Sequence, residues 1–230
     1  MENKLVLNEK ELDKDLWIIG LATLVGFLVY MLFGEFLMNL ISNKEIHILL
    51  RVLVTAFVQF TIAGLGSVIV CIYRKENFSK FGLQKDGTVK SIVGVFICFI
   101  PHLIYILASG QFIGYYPLSV LLTDEVLAGS IFTKIFGMSI IALAWGFFEG
   151  FNYAIISKKI NLRYPNKKVN MGALICALIC ILIHPFNTSF WGLVNILTTF
   201  IFIYGMIEVT EKTENAWGCV LSFCLLWNAF

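Results

Sequence analysis

Long apolar runs constrain this chain more than any other feature. Seven hydrophobic segments can be read, at about 16–41, 50–73, 91–109, 128–157, 171–187, 189–209 and 216–230. A span needs roughly 20 apolar residues, and lipid offers backbone N–H and C=O groups no partners. Segments of this kind must therefore be helices. Only 14% of the 230 residues are charged and 59% are hydrophobic, whereas soluble domains carry about 25% charge. The expectation is an all-α, polytopic transmembrane helical bundle of about seven spans, forming a single domain over 1–230. Localisation in a cell membrane as a multi-pass protein follows. The bilayer is its first partner, and no basic block points to nucleic acid.

Residues 1–15, MENKLVLNEKELDKD, form a polar segment without the apolar core of a signal peptide. Asn8 followed by Glu11 reads as a capping box opening a helix. Orientation follows from Lys and Arg. With seven spans, fourteen fall on one side: Lys4, Lys10, Lys14, five over 74–90, five over 158–168, and Lys212. Lys44 and Arg51 fall on the other, and Lys134 lies near that outer edge. This places the N-terminus and the 1–15 segment in the cytoplasm.

Depth is measured by the helical rise of about 1.5 Å per residue. Glu35 comes roughly 28 Å into the first span, at the outer interface, and Glu208 lies near the cytoplasmic end of the sixth. Glu149, in WGFFEGFNYAIIS, lies about 12–13 Å from the cytoplasmic end of the fourth. It is the only acid well inside, and no Lys or Arg shares its depth. His184 and His102 are about 20 and 18 Å deep, with Asn228 at a similar level. Asn152 and Tyr153 follow Glu149 by three and four positions and share its helix face. A lone intramembrane carboxylate marks function by default; the bland alternative is a protonated Glu that hydrogen-bonds a neighbouring helix. Gly146 and Gly150 make a GxxxG around it. That pattern suits close helix packing, and Gly150 also leaves space beside the carboxylate for a water or a peptide backbone.

The six cysteines, Cys71, Cys98, Cys176, Cys180, Cys219 and Cys224, all lie in apolar stretches and read as small packing residues. Cys98 with His102, and Cys180 with His184, share an i, i+4 spacing, so a Cys2His2 zinc site between the third and fifth spans is an alternative. A proton-coupled transporter carrying its proton on Glu149 is another, but the chain shows no inverted repeat.

Residues 135–230 resemble the CPBP family of intramembrane endopeptidases, which includes the CAAX prenyl endopeptidases and the bacteriocin-processing and abortive-infection proteins. The family's motifs are EExxxR, FxxxH and HxxxN. FFEGFNY is similar to the first, with Glu149 as its second Glu. His184 in CILIH matches the His of FxxxH, and Asn228 lies beside the Asn of HxxxN. Phe202, Gly205, Thr213 and Trp217 match the aromatic helix and turn before that last motif. Phe148, Tyr153 and Cys180 stand where the family has Glu, Arg and Phe. Aligned on Trp217, the Asn position falls on Trp227, one step from Asn228, and the expected His on Phe223 or Cys224. The resemblance implies a Glu-activated water that hydrolyses a peptide bond, with Glu149 as base and His184 and Asn228 as oxyanion donors. The substrate would be a hydrophobic or lipid-modified peptide or membrane protein, and no cofactor is implied. The alternative is a catalytically inactive member of the fold that binds such a partner.

Overall fold

A computed structural model describes residues 8–166, 168–184 and 187–230. Lys4, Lys167 and Pro185 lie outside the described residues. The described chain is helical throughout, without strands.

Helix α1 runs Glu9–Ser42. It begins before the apolar run because Asn8 caps it and Glu11 returns the bond, the capping box the sequence predicts. The second apolar segment is not one straight helix. Helices α2 (Ile48–Ala63) and α3 (Leu65–Arg74) meet at Gly64 with a bend of 63°. A side chain at Gly64 would strike the Phe60 ring at 2.8 Å and Phe148 at 3.1 Å. Helix α4 spans Thr88–Ala108 and α5 Thr123–Ala128. Helices α6 (Ile131–Ile141) and α7 (Glu149–Arg163) are joined by a π-helical stretch, Ala142–Phe148, into one element of 33 residues. Helix α8 covers Met171–Ile183, α9 Phe190–Thr213 and α10 Trp217–Ser222, and α10 runs on into a second π-helical turn, Phe223–Trp227.

Among the described residues four helices are long and apolar enough to cross a membrane, or five if α2 and α3 form one broken span. Helix α8 has 13 residues. At about 1.5 Å each it measures roughly 20 Å, short of a hydrocarbon core of about 30 Å. One packed core lies where α9 meets α4, α8 and α10, around Phe99, Phe202, Met206 and Phe223. A second joins α1, α3, α7 and α10 around Val70, Phe151 and Ile155.

At the N-terminal end of α1 lies a cluster of ion pairs. Lys159, 1% exposed, bonds Asp15 at 2.9 Å and Glu76 at 2.7 Å, and Asp15 is fully buried. Arg74 bonds Asp15 at 2.7 Å and Glu11 at 2.9 Å, and Arg163 bonds Asp13 at 2.6 Å. Burial pushes the Glu76 carboxyl up, but the ammonium groups of Lys159 and Lys80 outweigh it and hold the group below its ordinary value. Residues that read as a polar tail and a basic loop thus clamp α1, α3 and α7 together.

Candidate functional site

Glu149 opens α7 directly after the π-helical stretch. A π-turn takes one residue more than an α-turn, and such bulges recur at functional sites. Here it turns Glu149 toward α2, where Gln59 donates from Nε2 to Oε2 at 2.7 Å. Among the described residues no ion pair reaches Glu149, and its partner is a neutral amide. Glu149 as a residue is 9% exposed. Oε1 has no hydrogen-bond partner among the described residues. No side-chain oxygen or nitrogen among them is both occluded and unpartnered. Oε2 is thus anchored, and Oε1 is left without a hydrogen bond from the described residues.

The two glycines serve packing. A side chain at Gly146 would collide with Cys224, bringing the two π-helical turns into contact. One at Gly150 would lie 2.7 Å from the Cys219 carbonyl oxygen and 2.9 Å from the Val220 Cα. The space expected beside the carboxylate at Gly150 is thus filled by the α10 backbone. Gly150→Ala forces α7 and α10 apart, and since both contacts are backbone neither can swing aside. Overpacking of this kind costs about 1–3 kcal/mol, and thermal unfolding in detergent is expected to show the loss.

Asn152 and Tyr153 follow Glu149 at helical spacing but serve different neighbours. Asn152 accepts a hydrogen bond from Ser67 on α3. Tyr153 stacks on Phe223 with ring centroids 5.3 Å apart. Cys180 on α8 lies 3.9 Å from His184 Nδ1. Glu149 and His184 make no hydrogen bond to one another.

His184 caps the end of α8 and is exposed. Its Nδ1 lies 2.8 Å from the Cys180 carbonyl oxygen. A carbonyl only accepts, so Nδ1 carries the proton and Nε2 of the neutral ring is an acceptor. In this arrangement His184 donates through Nε2 only as an imidazolium. Asn228 follows the second π-helical turn. Its carbonyl accepts from Ser119 N–H at 2.7 Å, and its side-chain amide has no hydrogen bond among the described residues. Two cavities stand out. An apolar groove of about 410 Å³ is bordered by Ile92, Phe96, Leu226 and Phe230, and a polar one of about 370 Å³ by Asn161, Asn170 and Glu211. Neither is lined by Glu149, His184 or Asn228.

The Cys and His pairs considered for zinc do not converge. The Trp227 ring lies 5.8 Å from the His102 ring and 6.0 Å from the His184 ring, and Thr198 bonds His102 Nδ1 at 3.1 Å. Among the described residues no three His, Cys, Asp or Glu side chains are placed to hold one ion. All six cysteines are free thiols. Gln59 and Ser67 are the polar partners that reading the apolar segments overlooked. Both were visible as polar residues inside the second segment, but their facing helix was not. No family model matches the chain, and neither does any curated protein or solved structure.

Proposed function

We propose that this chain is a multi-pass protein of the cell membrane, related to the CPBP endopeptidases, that hydrolyses a peptide bond in a hydrophobic or lipid-modified substrate. All seven apolar segments enter the bilayer, the broken α2–α3 pair counting as one, with the N-terminus cytoplasmic as the distribution of Lys and Arg requires. One observation carries the hydrolytic reading: Glu149 Oε2 is anchored by Gln59 while Oε1 has no hydrogen-bond partner among the described residues. A general base must hold an oxygen within reach of the water it deprotonates.

In this mechanism Oε1 takes a proton from water, and the hydroxide adds to the scissile carbonyl carbon. The oxyanion formed needs donors. The free amide of Asn228 is one, and His184 is a second when protonated. Glu149 then returns the proton to the leaving amine as the C–N bond breaks.

The second reading is a non-catalytic binder of hydrophobic peptides or membrane proteins. It is favoured by the absence of any hydrogen bond from His184 or Asn228 to Glu149, and by the α10 backbone filling the space at Gly150. Cleavage of a membrane-tethered peptide by reconstituted wild type and Glu149→Gln separates the two. Cleavage by the wild type alone supports hydrolysis, and equal background in both leaves binding.

A further inference from the structure

The Glu149 carboxylate is held from one direction. Gln59 bonds Oε2, and nothing else among the described residues bonds either oxygen. Gln59 lies on α2, just before the bend at Gly64. On the near side of the bend, Phe60 packs edge-on against Phe148, the residue preceding Glu149, with centroids 4.7 Å apart. Gln59 beside it then meets the carboxylate. Beyond the bend, Ser67 meets Asn152, one helical turn further along α7. The broken helix α2–α3 thus grips α7 at two successive turns through two polar contacts.

A glutamate side chain has several rotatable bonds, and a single charge-assisted bond to one oxygen selects its rotamer. Reactivity is sensitive to such placement: a displacement of about 1 Å can cost about a hundredfold in rate. Resting on the reading of Glu149 as the base, we infer that Gln59 is its positioning residue. Its side-chain amide, delivered by the broken helix, fixes Oε2 and leaves Oε1 directed at the reacting water. It touches neither water nor substrate and acts through Glu149 alone.

The test uses the full chain in liposomes, with Gln59→Met, which keeps the length of the side chain and removes the donor. Cleavage of a membrane-tethered peptide gives kcat and KM. The rate at which a hydrophobic carbodiimide labels Glu149, read by mass spectrometry, reports on the carboxyl without catalysis. Gln59→Met is expected to lower kcat by up to about a hundredfold, leave KM unchanged, and speed labelling of Glu149 severalfold as Oε2 is released. Wild-type kcat together with wild-type labelling overturns the inference. If wild type and Glu149→Gln cleave alike, the hydrolytic reading fails by itself. Labelling then decides the role of Gln59: faster labelling upholds it and unchanged labelling overturns it. Should Gln59→Met fail to fold, Gln59→Asn, whose amide is one methylene short of Oε2, is expected to show the same changes to a smaller degree. Wild-type behaviour of Gln59→Asn in both assays overturns the inference.

Discussion

Glu149→Gln is expected to reduce cleavage of a membrane-tethered peptide to background. General-base catalysis contributes about 10²–10⁴-fold, and a carboxamide accepts no proton in this pH range. The substitution is nearly isosteric. Gln59 keeps a partner, since its amide nitrogen now meets the new side-chain carbonyl instead of Oε2. The fold is therefore retained, and unfolding temperatures of wild type and variant are expected to coincide. KM is expected to hold, because Glu149 is assigned to the reacting water and not to the peptide. A variant that cleaves at the wild-type rate removes Glu149 from the chemistry.

Lys159→Met is expected to destabilise the protein more than any other single change to the ion cluster. Lys159 is 1% exposed and joins Asp15 and Glu76, which are 0% and 6% exposed in their side chains. Methionine keeps much of the stem but removes the buried cation between two buried carboxylates, leaving Asp15 to Arg74 and Glu76 to Lys80. Breaking a buried pair by removing one partner costs about 3–5 kcal/mol. Denaturation in mixed micelles at neutral pH is expected to show that loss, and a loss near zero would mean that water reaches the cluster. The deficit depends on pH with a definite sign. The folded-state value of Glu76 is depressed, so its contribution is complete above its ordinary value of 4.5 and disappears as pH falls through the lower folded value. The gap between Lys159→Met and wild type is therefore expected to narrow in acid. Lys159→Arg keeps the charge and is expected to lose less.

Much of this protein was written locally. The apolar runs specify helices because a bilayer leaves the backbone only intrahelical partners. Asn8 and Glu11 specify the start of α1, because both bonds of a capping box lie within one turn. Gly146 and Gly150 specify a packing seam, since helices can meet closely only where side chains are absent. The burial of Glu149 was legible from its distance to the nearest charged loop. What lay near Glu149 was not.

That neighbourhood depends on pairings between distant parts of the chain. Gln59 meets Glu149 across 90 positions, Ser67 meets Asn152 across 85, and Asp15 meets Lys159 across 144. No periodicity encodes such separations. Asp15 and Lys159 read as solvated ends of spans, and only the docking of α1 on α7 buries them. At the Gly64 bend Phe60 and Phe148 leave no room for a side chain, and the π-helical turns place Glu149 and Asn228 off the faces that a uniform α-helix would give them. By itself the sequence determined that the chain is helical and that Glu149 lies away from solvent, because the hydropathy of each segment acts on that segment alone. Only the tertiary structure decided that Gln59 holds that acid, that α10 fills the space at Gly150 and that Asp15 and Lys159 are buried together, because side-chain partners are chosen by packing between segments.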